Sequence, residues 1–166
     1  VLRRKEDGSL KLDMMKWGFP GPEAAGGRAV TNVRNLNSGF WRNALTDPRR
    51  RCLVPVTTFC EWTGEPGRKS KVWFGLTEEQ HPLFAFAGIW SMGQDGQRRP
   101  WSSFAIITTE ANRLVAQVHN RMPVILHPDD EATWLNPEAT PAQAQACLKP
   151  LPAHLLRQRV VLPAPT

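Results

Sequence analysis

The chain has 166 residues, 41% hydrophobic and 22% charged, with a formal net charge of +6. That length suits one domain with a real core, and the composition excludes a disordered chain. No apolar run approaches the ~18–20 residues of a membrane-spanning helix, and the positive charge favours polyanionic partners such as nucleic acid.

The opening "VLRRKEDGSLKL" contains no initiator Met and reads as a strand and turn already under way. The N-terminus is therefore expected to be incomplete, and the stretch does not read as a secretory leader. "KLDMMKWGFP" reads as a strand ending at Trp17-Gly18, followed by the loop "PGPEAAGG". "RAVTNVRN" alternates as a short extended segment, and "SGFWRNAL" predicts one or two helical turns stopped at Asp47-Pro48. The strongest strand signals are "CLVPVTTFCEW", "KVWFGL", "LFAFAGIW" and "SSFAIITT". Hairpin-length connections part them, which predicts an antiparallel meander or barrel. After Thr109 the period becomes helical: "EANRLVAQVHN" spaces Leu114, Val115 and Val118 along one face, with Thr109 as N-cap. "PVIL" is strand-like. "HPDDEATWLN" predicts a helix with Pro128 near its start, an acidic first turn, and Ala132 and Leu135 as its apolar positions. "PAQAQACLKP" predicts another, and "LPAPT" reads as a tail. The expected fold class is α+β: a single β-rich domain over 1–166, with a curved, mostly antiparallel, barrel-like sheet and helices at its margin.

Cys52, Cys60 and Cys147 are odd in number and lack CxxC spacing, and the four histidines are scattered. Neither a disulfide framework nor a zinc site follows; no metal or other cofactor is expected, and a reducing cytoplasm is the default compartment. Basic clusters at Arg3-Arg4-Lys5, Arg49-Arg50-Arg51, Arg68-Lys69-Ser70-Lys71 and Arg98-Arg99 are discrete.

Several polar residues interrupt the apolar pattern. A strand running through "FCEW" puts Val54, Val56, Cys60 and Trp62 on one face, and Leu53, Phe59 and Glu61 on the other. Cys60 then reads as a small packed hydrophobe. Glu61 is either a solvated rim residue or a general acid/base whose pKa is raised by Phe59 and Trp62. His119, near the end of the helix expected after Thr109, either bonds the last carbonyls or acts in proton transfer, its charged form favoured by the dipole. Arg121 suits a phosphate or carboxylate, or the surface. Asn32 and Arg34 share a face by period 2 and could hold a carbonyl-like or phosphate group, or serve loop hydrogen bonding. Of seven tryptophans, Trp73, Trp90 and Trp134 read as core, whereas Trp17 and Trp62 at strand ends could stack on exposed bases. Basic loops interleaved with aromatics suit single-stranded nucleic acid, and no helix carries a basic recognition face.

The stretches "MMKWGFP", "VTNVRN", "RRCLVPVTTFCEW", "PLFAFAGIW", "FAIITTEAN" and "VHNRMPVIL" occur in that order between roughly residues 12 and 136. Together they resemble the SOS response-associated peptidase (SRAP) family, which shields abasic sites in DNA; "TNVRN" with "FCEW" is similar to a bacterial branch. The resemblance implies a β-rich α+β domain that acts on single-stranded DNA containing abasic sites, without a membrane; a cytoplasmic monomer is expected. It also implies a Cys directly after the initiator Met. Its α-amine attacks the ring-opened aldehyde to give a Schiff base, and its thiol closes a thiazolidine crosslink. The 166 residues contain no Met-Cys pair. None of Cys52, Cys60 or Cys147 replaces that Cys, because amine and thiol must sit on one residue.

By the same resemblance, Glu61 positions the amine and shuttles protons, and His119 assists sugar-ring opening and crosslink reversal. Asn32 orients the N-terminal residue or the opened sugar. Arg34 and Arg121 hold flanking phosphates, Thr108 lies near the lesion, and Trp17 and Trp62 line the DNA cleft. The resemblance thus implies a crosslinking enzyme with peptidase and lyase-like activity; two other readings stay open, a peptidase or self-processing hydrolase and a non-catalytic module for single-stranded nucleic acid. A Glu, a His and an Asn without an internal nucleophile weaken the case for general proteolysis.

Overall fold

A computed structural model describes residues 1–22, 26–65, 68–78, 83–94 and 100–159. The Arg98-Arg99 cluster and the "LPAPT" tail lie outside the described residues. In chain order the elements are β1 (Leu2–Arg4), β2 (Leu10–Leu12), β3 (Lys16–Trp17), β4 (Asn32–Val33), α1 (Arg42–Thr46), β5 (Arg51–Val56), β6 (Phe59–Thr63) and β7 (Ser70–Leu76). There follow β8 (Phe84–Gln94), β9 (Pro100–Glu110), β10 (Arg121–Pro123), α2 (Pro128–Leu135), α3 (Pro141–Ala146) and β11 (Leu156–Arg159). This is the expected α+β class.

The large sheet has eight strands and runs β10-β9-β8-β5-β1-β2, with β3 and β4 also paired to β9; the small sheet runs β11-β7-β6. The strands β5, β8, β9 and β10 pair antiparallel in that order. Only the link from β8 to β9 is of hairpin length, and the expected meander is interrupted because β6 and β7, which lie between β5 and β8 in the chain, leave for the small sheet. However, β3 and β4 pair with β9 in parallel, so the large sheet is mixed. Hairpin-length spacing could not show this, because these two segments precede β9 by a long stretch of chain.

Alternation along β9 separates two cores. Ala105 and Ile107 are wholly buried and point to one face. There they join Leu53, Ala87 and Ile89 beneath Ala44 of α1, Trp134 and Leu135 of α2, and Ala144 of α3. Ile106 points to the other face, where it packs with Val54 and Phe86 against Phe59, Phe74 and Leu156 of the small sheet. Burying each such aliphatic or aromatic side chain contributes about 1.5–3 kcal/mol.

The helices are set by local signals and then pinned. Pro128 opens α2 and Asp129, Asp130 and Glu131 fill its first turn, where the helix dipole favours them. Trp134 and Leu135 are its buried residues, and the Trp134 indole N–H donates to the Cys52 carbonyl at 3.1 Å. Ala132, expected on the apolar face, is exposed instead. α3 begins with a capping box: the Gln143 N–H donates to Thr140 Oγ1 at 3.2 Å, and the Thr140 N–H donates to Gln143 Oε1 at 2.8 Å.

Two expectations fail locally. "CLVPVTTFCEW" is not one strand: it breaks between β5 and β6, which belong to different sheets. Face parity therefore cannot be carried from Val54 to Cys60. Nor does a helix follow Thr109. β9 runs on to Glu110 because Thr109 and Glu110 pair with Met122 and Arg121. Asn112 Oδ1 then accepts the N–H groups of Leu114 and Val115, each at 3.0 Å, which competes with helical bonding and leaves one 3₁₀ turn, Val115–Gln117.

The run Arg49-Arg50-Arg51 does not form one patch. Arg49 is exposed and paired to Asp47, Arg50 lies 4.9 Å from the centre of the Trp90 ring, and Arg51 is buried. All three cysteines are free, with Cys52 and Cys147 buried. Among the described residues, no helix is long and apolar enough to cross a membrane.

Candidate functional site

The edge of β9 away from β8 receives three short segments in succession. β3 lies opposite Ser103 and Phe104, β4 opposite Ile106 and Ile107, and β10 opposite Thr108 to Glu110. Trp17, Asn32 and Arg121, distant in sequence, thus align along about 20 Å of strand at ~3.3 Å per residue. Gly18 makes the first docking possible. Its φ is 109°, and a Cβ there would stand 2.9 Å from Ala29 Cβ, so only glycine fits where the loop limbs approach. Phe19 and Val30 then exchange backbone hydrogen bonds of 3.0 and 2.9 Å, closing the loop that joins β3 to β4.

The facing wall is β6, the edge of the small sheet. Phe59 anchors it by stacking on Phe74 (5.2 Å between centroids) and meeting Phe86 edge-on (5.8 Å). Between the walls lies a cleft of about 700 Å³. Trp17, Asn32, Arg34, Glu61, Trp62, Thr108, His119 and Arg121 all line it, so every residue singled out from the sequence reaches one place. Its apolar floor includes Phe86, Phe104, Ile106 and Met122.

Two lining residues were misread in the sequence. Trp73, expected in the core, is half-buried and lines the cleft, while Trp90 and Trp134 are buried as expected. Cys60, opposite Trp73 in the ladder, is also a half-buried lining residue rather than a core hydrophobe. The signal available was that "FCEW" follows Thr-Thr, where the strand could restart on another sheet.

Glu61 is half-buried, and burial pushes its carboxyl above the ordinary carboxylate range, with charge on His119 opposing the shift. Among the described residues its side chain forms no ion pair. A carboxyl so placed exchanges protons closer to neutrality than a solvated one.

Arg121 is held by Thr108. Its Nη2 donates to the Thr108 carbonyl at 2.6 Å and to Thr108 Oγ1 at 2.9 Å, and the hydroxyl in turn donates to the Val33 carbonyl at 3.1 Å. Burial and then the like charge of Arg34 lower the Arg121 pKa, although a guanidinium stays charged. Among the described residues neither arginine forms an ion pair. Two neighbouring guanidiniums, neither held in an ion pair, suit an anion with several oxygens.

His119 is not at the end of an α-helix, so dipole support for its charged form falls away; only a 3₁₀ turn precedes it. Its orientation comes from Arg121. The Arg121 N–H donates to His119 Nδ1 at 3.1 Å, and the Arg121 carbonyl lies 3.0 Å from the same nitrogen. An unprotonated Nδ1 accepts from the N–H and a protonated one donates to the carbonyl, so the ring keeps a backbone partner through a proton cycle. Trp17 and Trp62 are both 51% exposed. The Trp17 indole N–H donates to the Thr31 carbonyl at 3.0 Å, and Lys71 Nζ sits 5.2 Å from the Trp62 ring centre. Each presents ring surface at the cleft.

Comparison with known proteins agrees with this architecture. The family model described as SOS response associated peptidase (SRAP) matches residues 1–164. The chain is similar to "Abasic site processing protein YoaM" of Bacillus subtilis (strain 168), 35% identical over 161 residues, 92% of this chain and 70% of that protein. It is also similar to "Abasic site processing protein YoqW" of the same organism, 34% identical over 162 residues with the same shares. Among solved structures, a protein from Bacteroides thetaiotaomicron superposes with a TM-score of 0.78 at 26% identity, covering 97% of this chain and 72% of that one. A protein from Bordetella bronchiseptica gives 0.77 at 22% identity, covering 97% and 82%, and speaks for the fold alone. Matched from residue 1 to residue 164, this chain belongs to the SOS response associated peptidase (SRAP) family.

Proposed function

We propose that this chain processes abasic sites in single-stranded DNA and that the cleft between β6 and the outer edge of β9 receives the lesion. One observation carries the reading: Glu61, His119 and Asn32 line one cleft of about 700 Å³ together with the guanidiniums of Arg34 and Arg121, neither of which forms an ion pair among the described residues. The relatives named for abasic-site processing support it. Arg34 and Arg121 hold phosphates next to the lesion, which fixes register without reading sequence. Trp17 and Trp62 stack on the neighbouring bases, since the lesion has none of its own.

The chemistry begins with the opened sugar aldehyde. An amine adds to it to form a carbinolamine, which loses water to give an imine; a thiol on the same residue then adds across C=N to close the thiazolidine. Glu61, with its raised pKa, gives the proton that lets hydroxide leave as water and takes the proton the amine gives up. As the sugar opens, the bond from C1′ to the ring oxygen breaks; His119 donates a proton to the ring oxygen, the C1′ hydroxyl gives its proton to solvent to become the aldehyde, and Asn32 orients the opened sugar. The family's N-terminal Cys supplies amine and thiol and is not among these 166 residues. Among the residues present, Arg34 and Arg121 serve lesion binding and Glu61 and His119 serve proton transfer.

The test has two arms. The 166-residue chain should bind single-stranded DNA with one abasic site more tightly than the intact strand of the same sequence. A form extended at its N-terminus to begin with the family's Cys should give a heat-stable, gel-shifted band with the abasic strand. Glu61→Gln and His119→Ala should slow formation or reversal of that band while the protein stays folded. Equal binding to both strands would overturn the role of the cleft; wild-type rates in both variants would overturn the roles of Glu61 and His119.

A further inference from the structure

The helix-covered face of the large sheet holds a charge that the cleft does not use. Arg51 opens β5 and is only 6% exposed. Its Nη1 is buried without a hydrogen-bond partner, and among the described residues Arg51 forms no ion pair. The carboxylate whose charge reaches it, Asp47, is engaged with Arg49 and Arg50 at 3.0 and 3.8 Å. Contact with the Trp134 ring, 5.3 Å from the guanidinium carbon, offsets only part of the cost of burying an unpaired ion. Buried polar groups in folded proteins almost always have partners.

Arg51 lines a cavity of about 260 Å³ between α1 and α3. Leu45, Leu148 and Trp134 form apolar walls, and the side chains of Asn37 and Gln145 complete the rim. We propose that this cavity binds a carboxylate carried on a short aliphatic stem. The Arg51 fork would hold both oxygens, and the leucines would cover the stem. A phosphate fits less well, because its additional oxygens would face leucine and indole without donors. The volume lies below that of most small-molecule sites, which limits the occupant to a few heavy atoms. Such a group exists as a free short-chain acid and as the side chain of a glutamate on a protein segment. The site lies across the sheet from the cleft and does not depend on what the cleft binds.

Thermal melting of the 166-residue chain tests this with two probes, butyrate and N-acetyl-glutamate α-amide. Their controls are sodium chloride at matched ionic strength and N-acetyl-glutamine amide. A probe at about ten times its Kd should raise the melting temperature by about 3–6 °C. Arg51→Met should abolish the rise. Gln145→Trp, a change at an exposed rim position, should abolish it too and keeps the test available should Arg51→Met not fold. A rise with butyrate assigns the site to free short-chain acids; a rise with the glutamate amide alone assigns it to a glutamate side chain. No rise with either probe, or a rise undiminished in the variants, overturns the proposal.

Discussion

The two faces of β9 are built from adjacent residues and end in opposite ways. Ala105 and Ile107 lie sealed with Trp134 and Leu135 of α2 and Ala144 of α3. One residue away, Phe104, Ile106 and Thr108 line an open cleft. Strand alternation sorts side chains between faces, but the covering layer decides which face becomes a site. On the helical side the helices cover the core and leave only a small cavity between α1 and α3, lined by the buried Arg51. On the other side the small sheet stops at its edge strand β6, and Glu61, His119 and the two arginines meet in the gap.

The sharpest contrast is energetic. Ile107→Ala, on the sealed face, should cost about 2–5 kcal/mol. That lowers the melting temperature by about 5–20 °C, read by calorimetry. Arg121→Ala, on the open face, should leave the melting temperature nearly unchanged, because it also removes repulsion with Arg34. It should instead weaken single-stranded DNA binding about 10- to 100-fold and reduce the slope of log K against log salt by about 0.7. A large loss of stability in Arg121→Ala would mean that the guanidinium is a structural prop rather than a phosphate ligand.

Glu61 gives a smaller, pH-dependent effect. Its folded pKa lies above the unfolded value because of burial. The folded state therefore holds the proton more tightly, and this group lowers stability as pH rises from the unfolded pKa through the folded one. Glu61→Gln should accordingly melt higher than wild type at pH 8 and equal to it near pH 3. The reverse order would place the carboxylate in a stabilising pair. The smallest effect belongs to Cys60→Ala, expected to cost less than about 1 kcal/mol. A thiol reagent should label Cys60 in the native protein well before Cys52, whose thiol burial pushes up to about 12. Labelling of Cys52 first would overturn the placement of Cys60 in the accessible cleft.

Composition, strand patterning and turn residues were enough to specify a β-rich α+β chain. Its helices at "HPDDEATWLN" and "PAQAQACLKP" carry their start signals locally, in Pro128, Thr140 and Pro141. The polar residues that interrupt apolar stretches, Glu61 and Asn32 above all, were also legible as candidates, because such residues need a partner or solvent. Three things were decided only in three dimensions. The break between β5 and β6 moved Cys60 to the cleft, since pairing with β7 rather than continuity with β5 sets its direction, and Trp73 of β7 lies opposite it in that ladder. The pairing of β10 with the end of β9 overrode the helical period after Thr109. The parallel docking of β3 and β4 on β9 brought Trp17, Asn32 and Arg34 to Glu61 and His119. Local propensity reaches a few residues along the chain. Strand pairing and the extent of a covering layer are non-local free energies, so the sequence alone indicates which residues can act, and the tertiary structure decides which of them meet.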